Sequence, residues 1–263
     1  VKHALFLPPF GELADPRVVR DLAVAAEEHG WDGLFLWDHV LRPPDEVRDI
    51  ADVWVTLAAV ASATTSLRIG PMVTPLVRRR VQKVAREVVT LDLLSSGRLT
   101  VGLGLGVDTG GELSKFGELT DERARGELLD EGAQLLDALM SGEQVSHRGA
   151  HFTVDGARFL PRPLQQPRVP LWFATRRAAP RPARRAARYD GVFPIEIDGD
   201  GLSRVIDLVV AERGSLDGFD VAVAAGPGVD VSDLERRGAT WAMWDFQPGE
   251  PADRIAARIT RGP

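Results

Sequence analysis

Short apolar runs without polar alternation recur along the chain, separated by longer stretches that are apolar on one side only. The first pattern suits parallel strands buried on both faces, and the second suits helices that cover them. Leu67–Gly106 shows the unit most fully. It predicts a strand ending at Val73–Thr74, a helix and a strand ending at Gly102–Gly106. The helix carries Val81, Val84, Ala85, Val88, Val89, Leu91 and Leu94 at helical spacing, and Gly97 stands where a helix C-terminus favours glycine.

The same rhythm predicts strands at Lys2–Leu7, Gly33–Trp37, Val169–Ala174, Gly191–Ile195, Phe219–Ala225 and Thr240–Asp245. Asp15 and Pro16 open a helix with a stripe of Val18, Val19, Leu22, Ala23 and Ala26, and Gly30 stops it. Further helices are expected at Asp52–Ala63, Asp121–Met140, Ala183–Tyr189, Gly201–Arg213, Asp230–Arg237 and Ala252–Arg261. Residues 143–166 break the pattern with two short polar strands, Glu143–Phe152 and Thr153–Phe159, a small excursion after the fourth strand–helix unit. Eight strands alternating with helices predict an α/β fold, a closed (β/α)8 barrel over residues 1–263. In such a barrel the chemistry lies at the carboxyl ends of the strands.

Composition narrows the function classes. A length of 263 residues suits one barrel, which typically takes about 250. The formal charge of −6 argues against a protein built to hold nucleic acid or an anionic membrane. With no cysteine, disulfides, thiolate nucleophiles and thiolate metal sites are excluded. The N-terminal segment is broken by Pro8 and Pro9 and no long apolar span follows, so a soluble cytoplasmic protein is expected.

Several strand ends carry candidate chemistry. Gly102, Gly104 and Gly106 alternate with bulky apolar residues, but Val107 stands where a dinucleotide fingerprint needs glycine. Glycines in a strand mark a close approach by another surface, either tight packing inside the barrel or, the favoured reading, a flat ligand on the strand end. Asp38 and His39 close the second strand, and an imidazole there can bind a ligand or move a proton. Asp108, just past the glycine strand, is a candidate acid, with a solvated loop aspartate as the plainer account. Arg176 and Arg177 follow the fifth strand as a candidate phosphate site, whereas Arg181, Arg184, Arg185 and Arg188 read as a solvated helix face. The five histidines lack ligand spacing except His147 and His151 on the excursion, so no metal is expected. Glu196 and Asp245 could form a carboxylate pair for glycoside hydrolysis, and there is no GxSxG nucleophile elbow.

Several of these segments, taken in order, resemble the bacterial luciferase-like family of flavin- and deazaflavin-dependent oxidoreductases. They are Trp37-Asp38-His39, Leu67–Pro75, Leu91–Leu99 running into Val101–Gly104, Phe116-Gly117, Pro161–Pro163 and Ala186–Gly191. The resemblance implies a (β/α)8 barrel with insertions, often a homodimer formed through its helices. It also implies a bulge after the third strand at Pro71–Val73, often with a non-prolyl cis peptide, which backs the ring of FMN or coenzyme F420. Met72, Val73 and Thr74 would then line the cofactor, with Asp38, Gly104 and Gly106 nearby, and His39 would stand beside the reacting carbon.

Two departures are visible. Many relatives hold the cofactor phosphate on consecutive glycines after the fifth strand, where this chain has Ala174-Thr175-Arg176-Arg177. Sugar-phosphate dehydrogenases of the family carry a glutamate directly after the glycine strand, where this chain has Val107 and Asp108. The expectation is F420-dependent hydride transfer on a small organic substrate, favoured by His39 and by an arginine-rich composition typical of GC-rich genomes. FMN-dependent monooxygenation and a non-catalytic flavin-binding relative are the alternatives.

Overall fold

The computed structural model describes residues 1–46, 49–226 and 228–263. Nine strands form one sheet: β1 (Lys2–Leu7), β2 (Gly33–Leu36), β3 (Arg68–Pro71), β4 (Thr74–Pro75), β5 (Val101–Gly104), β8 (Leu171–Thr175), β9 (Gly191–Pro194), β10 (Asp220–Ala225) and β11 (Trp241–Asp245). β6 (Gln144–Arg148) and β7 (Thr153–Arg158) pair only with each other, antiparallel. The large sheet runs β3-β2-β1-β11-β10-β9-β8-β5-β4, and every pairing in it is parallel. β3 and β4 are two halves of one stave, interrupted at Met72–Val73. The first half pairs with β2 and the second with β5, so eight staves close the ring. The predicted barrel stands, and the hairpin follows the fourth strand–helix unit as expected.

The covering helices are α1 (Pro16–Glu28), α2 (Val53–Ala63), α3 (Val81–Leu94), α4 (Glu122–Met140), α5 (Pro180–Ala187), α6 (Gly199–Arg213), α7 (Val231–Arg236) and α8 (Ala252–Ile259). Their starts follow from local chemistry. The carboxylates of Asp15, Asp52, Asp121, Asp198 and Asp230 each accept a backbone N–H of the first turn, capping otherwise unpaired donors. α5 begins earlier than the expected Ala183, because Pro180 takes the first helical position, where its missing N–H costs nothing.

Strand alternation sorts the core into two layers. Outward residues such as Leu5, Leu34, Ile69, Leu103 and Val223 pack under the helices. Inward residues fill the barrel with Ala4, Phe6, Phe35, Met72, Trp172, Phe193, Ala222, Trp241 and Met243. Small residues make room for large ones here: a Cβ on Gly191 would lie 2.4 Å from the Trp172 ring.

Two residues of the Leu91–Leu99 segment tie loops rather than serve the mouth. Buried Asp92 accepts the Leu164 and Gln165 N–H groups at 2.8 and 3.2 Å and the Gln165 amide at 2.7 Å. Arg98 donates to the carbonyls of Ala61, Thr64, Leu67 and Ser95, joining the end of α2 to the start of β3. The hairpin is held to α4 by Glu131, which meets His147 Nε2 at 2.8 Å and accepts the His151 and Phe152 N–H groups. His147 is thereby used in packing, and no cluster able to hold a metal occurs among the described residues.

Candidate active site

The carboxyl ends of β1, β2 and β3–β5 bring together a polar cluster whose members lie far apart in sequence. Asp38, two residues past the end of β2, is buried. Its carboxylate accepts the Thr74 hydroxyl at 2.7 Å and Arg79 Nη2 at 3.0 Å, and Arg78 Nη2 donates to its backbone carbonyl at 2.6 Å. His39 Nδ1 lies 2.9 Å from Oε1 of Glu112, a side chain only 1 % exposed. Glu112 Oε2 accepts the Val40 N–H at 3.2 Å and lies 3.8 Å from Arg78 Nη1. Two carboxylates thus face two guanidiniums, which keeps a buried cluster near neutrality.

The cluster fixes His39. A carboxylate only accepts hydrogen bonds, so Nδ1 carries the proton toward Glu112 and Nε2 is the nitrogen left to meet a ligand. Around it stand Phe10, with ring centroids 6.0 Å apart, and Trp37 at 6.1 Å. The loop that delivers Glu112 is held by Asp108. Its Oδ1 accepts the N–H groups of Leu113 and Ser114 at 2.8 and 3.0 Å, and these bonds lower its pKa. Asp108 is therefore an exposed, ionised side chain that clamps this loop through Oδ1. A glutamate does enter the site, but from further along the loop than the position after the glycine strand.

The bulge lies where the resemblance put it, and the Met72–Val73 peptide is cis. Space beside the glycines is taken by this segment. A Cβ on Gly102 would lie 2.5 Å from Met72 Sδ, and one on Gly104 would lie 2.6 Å from Val73 Cγ2. Glycine is needed there because the third stave leans on the fourth, so packing inside the barrel, not a ligand on bare backbone, explains these two positions. Gly106 has φ +74° and its carbonyl accepts Arg125 at 2.7 Å. Thr74 is fully buried and its hydroxyl is spent on Asp38, so it positions the cluster.

Apart from Asp245, the half-buried inward positions at the mouth are apolar. Val73, Ala174, Ile195 and Ala224 are half-buried on inward positions, beside Trp37 and the ring of Phe6. Such a shallow apolar wall with one histidine at its rim fits a flat ring system.

The turn after β8, expected as a candidate phosphate site, is built differently. Thr175 Oγ1 donates to the Arg177 carbonyl and accepts the Arg177 N–H, and that carbonyl also accepts the Ala179 N–H. Pro180 and Pro182 have no N–H at the start of α5, so this turn is not an amide cradle. Side chains are the available groups: Arg176 is ion-paired with Glu196, and Arg177 with Glu122 at 3.3 Å. Glu196 is exposed and turned to Arg176, which leaves Asp245 without the carboxylate partner that glycoside hydrolysis requires. Arg185 is no solvated residue. It is buried and binds Asp130 at 2.5 Å and the Gly126 carbonyl at 3.2 Å, stapling α5 to α4.

Sequence reasoning missed Arg78, Arg79 and Glu112. Arg78-Arg79-Arg80 reads as a polar turn, and Glu112 sits in a glycine-rich loop without periodicity. The available signal was position alone, since both segments follow strand ends on the catalytic face.

Comparison with known proteins agrees with this architecture. The chain is 32% identical over 174 residues to an F420-dependent glucose-6-phosphate dehydrogenase of Nakamurella multipartita, covering 65% of this chain and 50% of that protein. It spans about half the length of the curated relatives it matches. Among solved structures it resembles an F420-dependent secondary alcohol dehydrogenase in complex with an F420-acetone adduct, with TM-score 0.76, 22% identity, and 98% and 81% of the two chains covered. It likewise resembles the monooxygenase RslO1 from Streptomyces bottropensis, with TM-score 0.78, 21% identity, and 99% and 97% covered. The family model for luciferase-like monooxygenases matches residues 5–261, and the chain belongs to that family.

Proposed function

We propose that the chain is an oxidoreductase working with a noncovalently held flavin-type cofactor at the barrel mouth, with F420 favoured over FMN. The observation that carries this reading is His39, placed at a strand end with its tautomer set by a buried glutamate. Bound there, a deazaflavin would supply hydride transfer to or from a small organic substrate, whereas reduced FMN would supply oxygen chemistry.

The protein's own contribution is positioning and proton handling. His39 Nε2 gives or takes the proton that accompanies the redox change, Glu112 holds the ring of His39 in place, and Val73 and Ala174 support the planar group. The Arg78–Asp38–Arg79 cluster keeps the second strand end rigid behind them. Arg176 and Arg177 are the side chains within reach of an anionic cofactor tail, once released from Glu196 and Glu122. The 32% identity to an F420-dependent dehydrogenase supports the deazaflavin form.

Spectroscopic titration with F420 and with FMN side by side tests the reading. Saturable binding of F420 and its reduction or oxidation on adding substrate are the expected result. A bound but static spectrum would instead make the chain a binding protein without turnover, and saturable binding of FMN alone with oxygen consumption would favour monooxygenation. His39→Ala should lower turnover by about 10²–10⁴ while leaving cofactor affinity nearly unchanged. Unaltered turnover would remove His39 from the reaction.

The same proposal includes a homodimer. α2 is apolar around its whole circumference, a pattern that belongs to a buried helix, yet Val55 is 64% exposed and Leu94 on the adjoining α3 is exposed as well. A second copy covering this face would bury them, and light scattering reads the outcome directly.

A further inference from the structure

One ionisable group at the mouth is unused by the chemistry above. Asp245 is the last residue of β11, and alternation along that strand decides where it points. Trp241 and Met243 fill the barrel interior, while Trp244 turns outward to Trp31 and His3. Asp245 therefore faces inward, one layer above Met243. Its registered neighbour on β1 is Phe6, whose ring lies 5.5 Å from Trp37 and 5.4 Å from Phe193.

The carboxylate is poorly compensated. Oδ2 accepts only the side-chain amide of Gln247 at 3.2 Å, and Oδ1 is buried with no hydrogen-bond partner among the described residues. Burial pushes its pKa up to about 6, the Gln247 bond offsets part of that, and no charged neighbour contributes. Leaving an acceptor buried and unpaired is costly, so such an atom at a binding face marks a place where a ligand donor belongs.

We propose that Asp245 is a substrate-recognition residue that takes the protonated amine of a small, otherwise apolar organic molecule. The inference rests on the reading of the barrel mouth as a substrate site and names the substrate class of that site. A hydroxyl donor would satisfy Oδ1 but leave the desolvated charge unbalanced, whereas an ammonium does both. The rings of Trp37 and Phe6 add to the preference, because aromatic faces attract cations and cover an apolar body at the same time. An anionic substrate, a sugar phosphate included, would meet repulsion at this point.

Benzylamine, benzyl alcohol and benzoate share one ring and differ in the polar group, which makes them suitable probes. Calorimetric titration of the full chain, with and without FMN or F420, should show benzylamine binding at least tenfold more tightly than either of the others. In Asp245→Asn the three should fall within about twofold of one another, with cofactor binding unchanged. Equal binding of amine and alcohol by the unsubstituted protein, absence of saturable amine binding, or retained amine preference in the variant would each overturn the proposal. The two levels separate cleanly. Amine selectivity without cofactor binding would keep this inference and remove the oxidoreductase reading, and cofactor binding without amine selectivity would do the reverse.

Discussion

Two arginine pairs follow two strand ends of the same barrel, and the fold treats them in opposite ways. Arg78 and Arg79, after β4, have side chains 5% and 17% exposed and clamp Asp38 from two directions. Arg176 and Arg177, after β8, are 48% and 72% exposed and meet Glu196 and Glu122 at the surface. The dipeptides are identical, so the difference lies in what stands opposite. The first pair faces buried carboxylates across a closed turn, where removing one partner strands a charge away from water. The second faces solvent, where an ion pair contributes little and its members are free to exchange partners. On the proposed reading a phosphate-bearing ligand would recruit the exposed pair, while the buried pair is committed to structure.

The largest test of this contrast is Arg79→Ala. Taking the nearer of its two guanidiniums from the buried Asp38 carboxylate, which keeps only Thr74 and the more distant Arg78, should cost about 3 kcal/mol, a fall in melting temperature of roughly 6–12 °C. A loss no larger than that of a surface arginine would erase the distinction. Next in size is Glu112→Gln, which keeps the volume but removes the carboxylate that sets the His39 tautomer. Turnover should fall about 10–100-fold while KM changes little, and kcat measured alongside KM separates this from a binding defect.

Asp245→Asn probes a buried charge with no arginine at all. The folded-state pKa of about 6 lies above the usual 3.8, so the folded state binds protons more tightly in between. Stability from this group is fully present below about pH 4 and is lost as pH rises through about 6. The asparagine variant should thus be more stable than the parent by roughly 1 kcal/mol at pH 7, after discounting for partial solvation, with the gap closing toward pH 4. Melting curves across that range check the sign. The smallest expected effect belongs to Arg176→Ala combined with Arg177→Ala, which should change stability by less than about 1 kcal/mol. Cofactor binding should nonetheless weaken, more at low salt than at high, and unchanged affinity would leave both as ordinary surface.

Legibility followed the range of the interaction. Strand and helix positions, the barrel itself and the hairpin over residues 144–158 were readable, because periodicity, caps and turn residues act within a few positions, whereas the interruption near Met72 was legible only through the family resemblance. His39 was readable as a candidate because it ends a strand on the catalytic face. Its partner was not, since Glu112 lies 73 residues further along and nothing local marks it.

Gly102 and Gly104 show the same limit from another side. Their pattern announced a close approach, but only the folded chain revealed that Met72 and Val73 are what approaches. The sequence by itself determined the alternation of strands and helices, hence the closed barrel and the face on which any chemistry must sit. Tertiary structure alone decided which charges are buried, which arginines are spent and which carboxylate points inward unpaired. Those outcomes depend on desolvation and on neighbours distant in the chain, and a one-dimensional pattern carries neither.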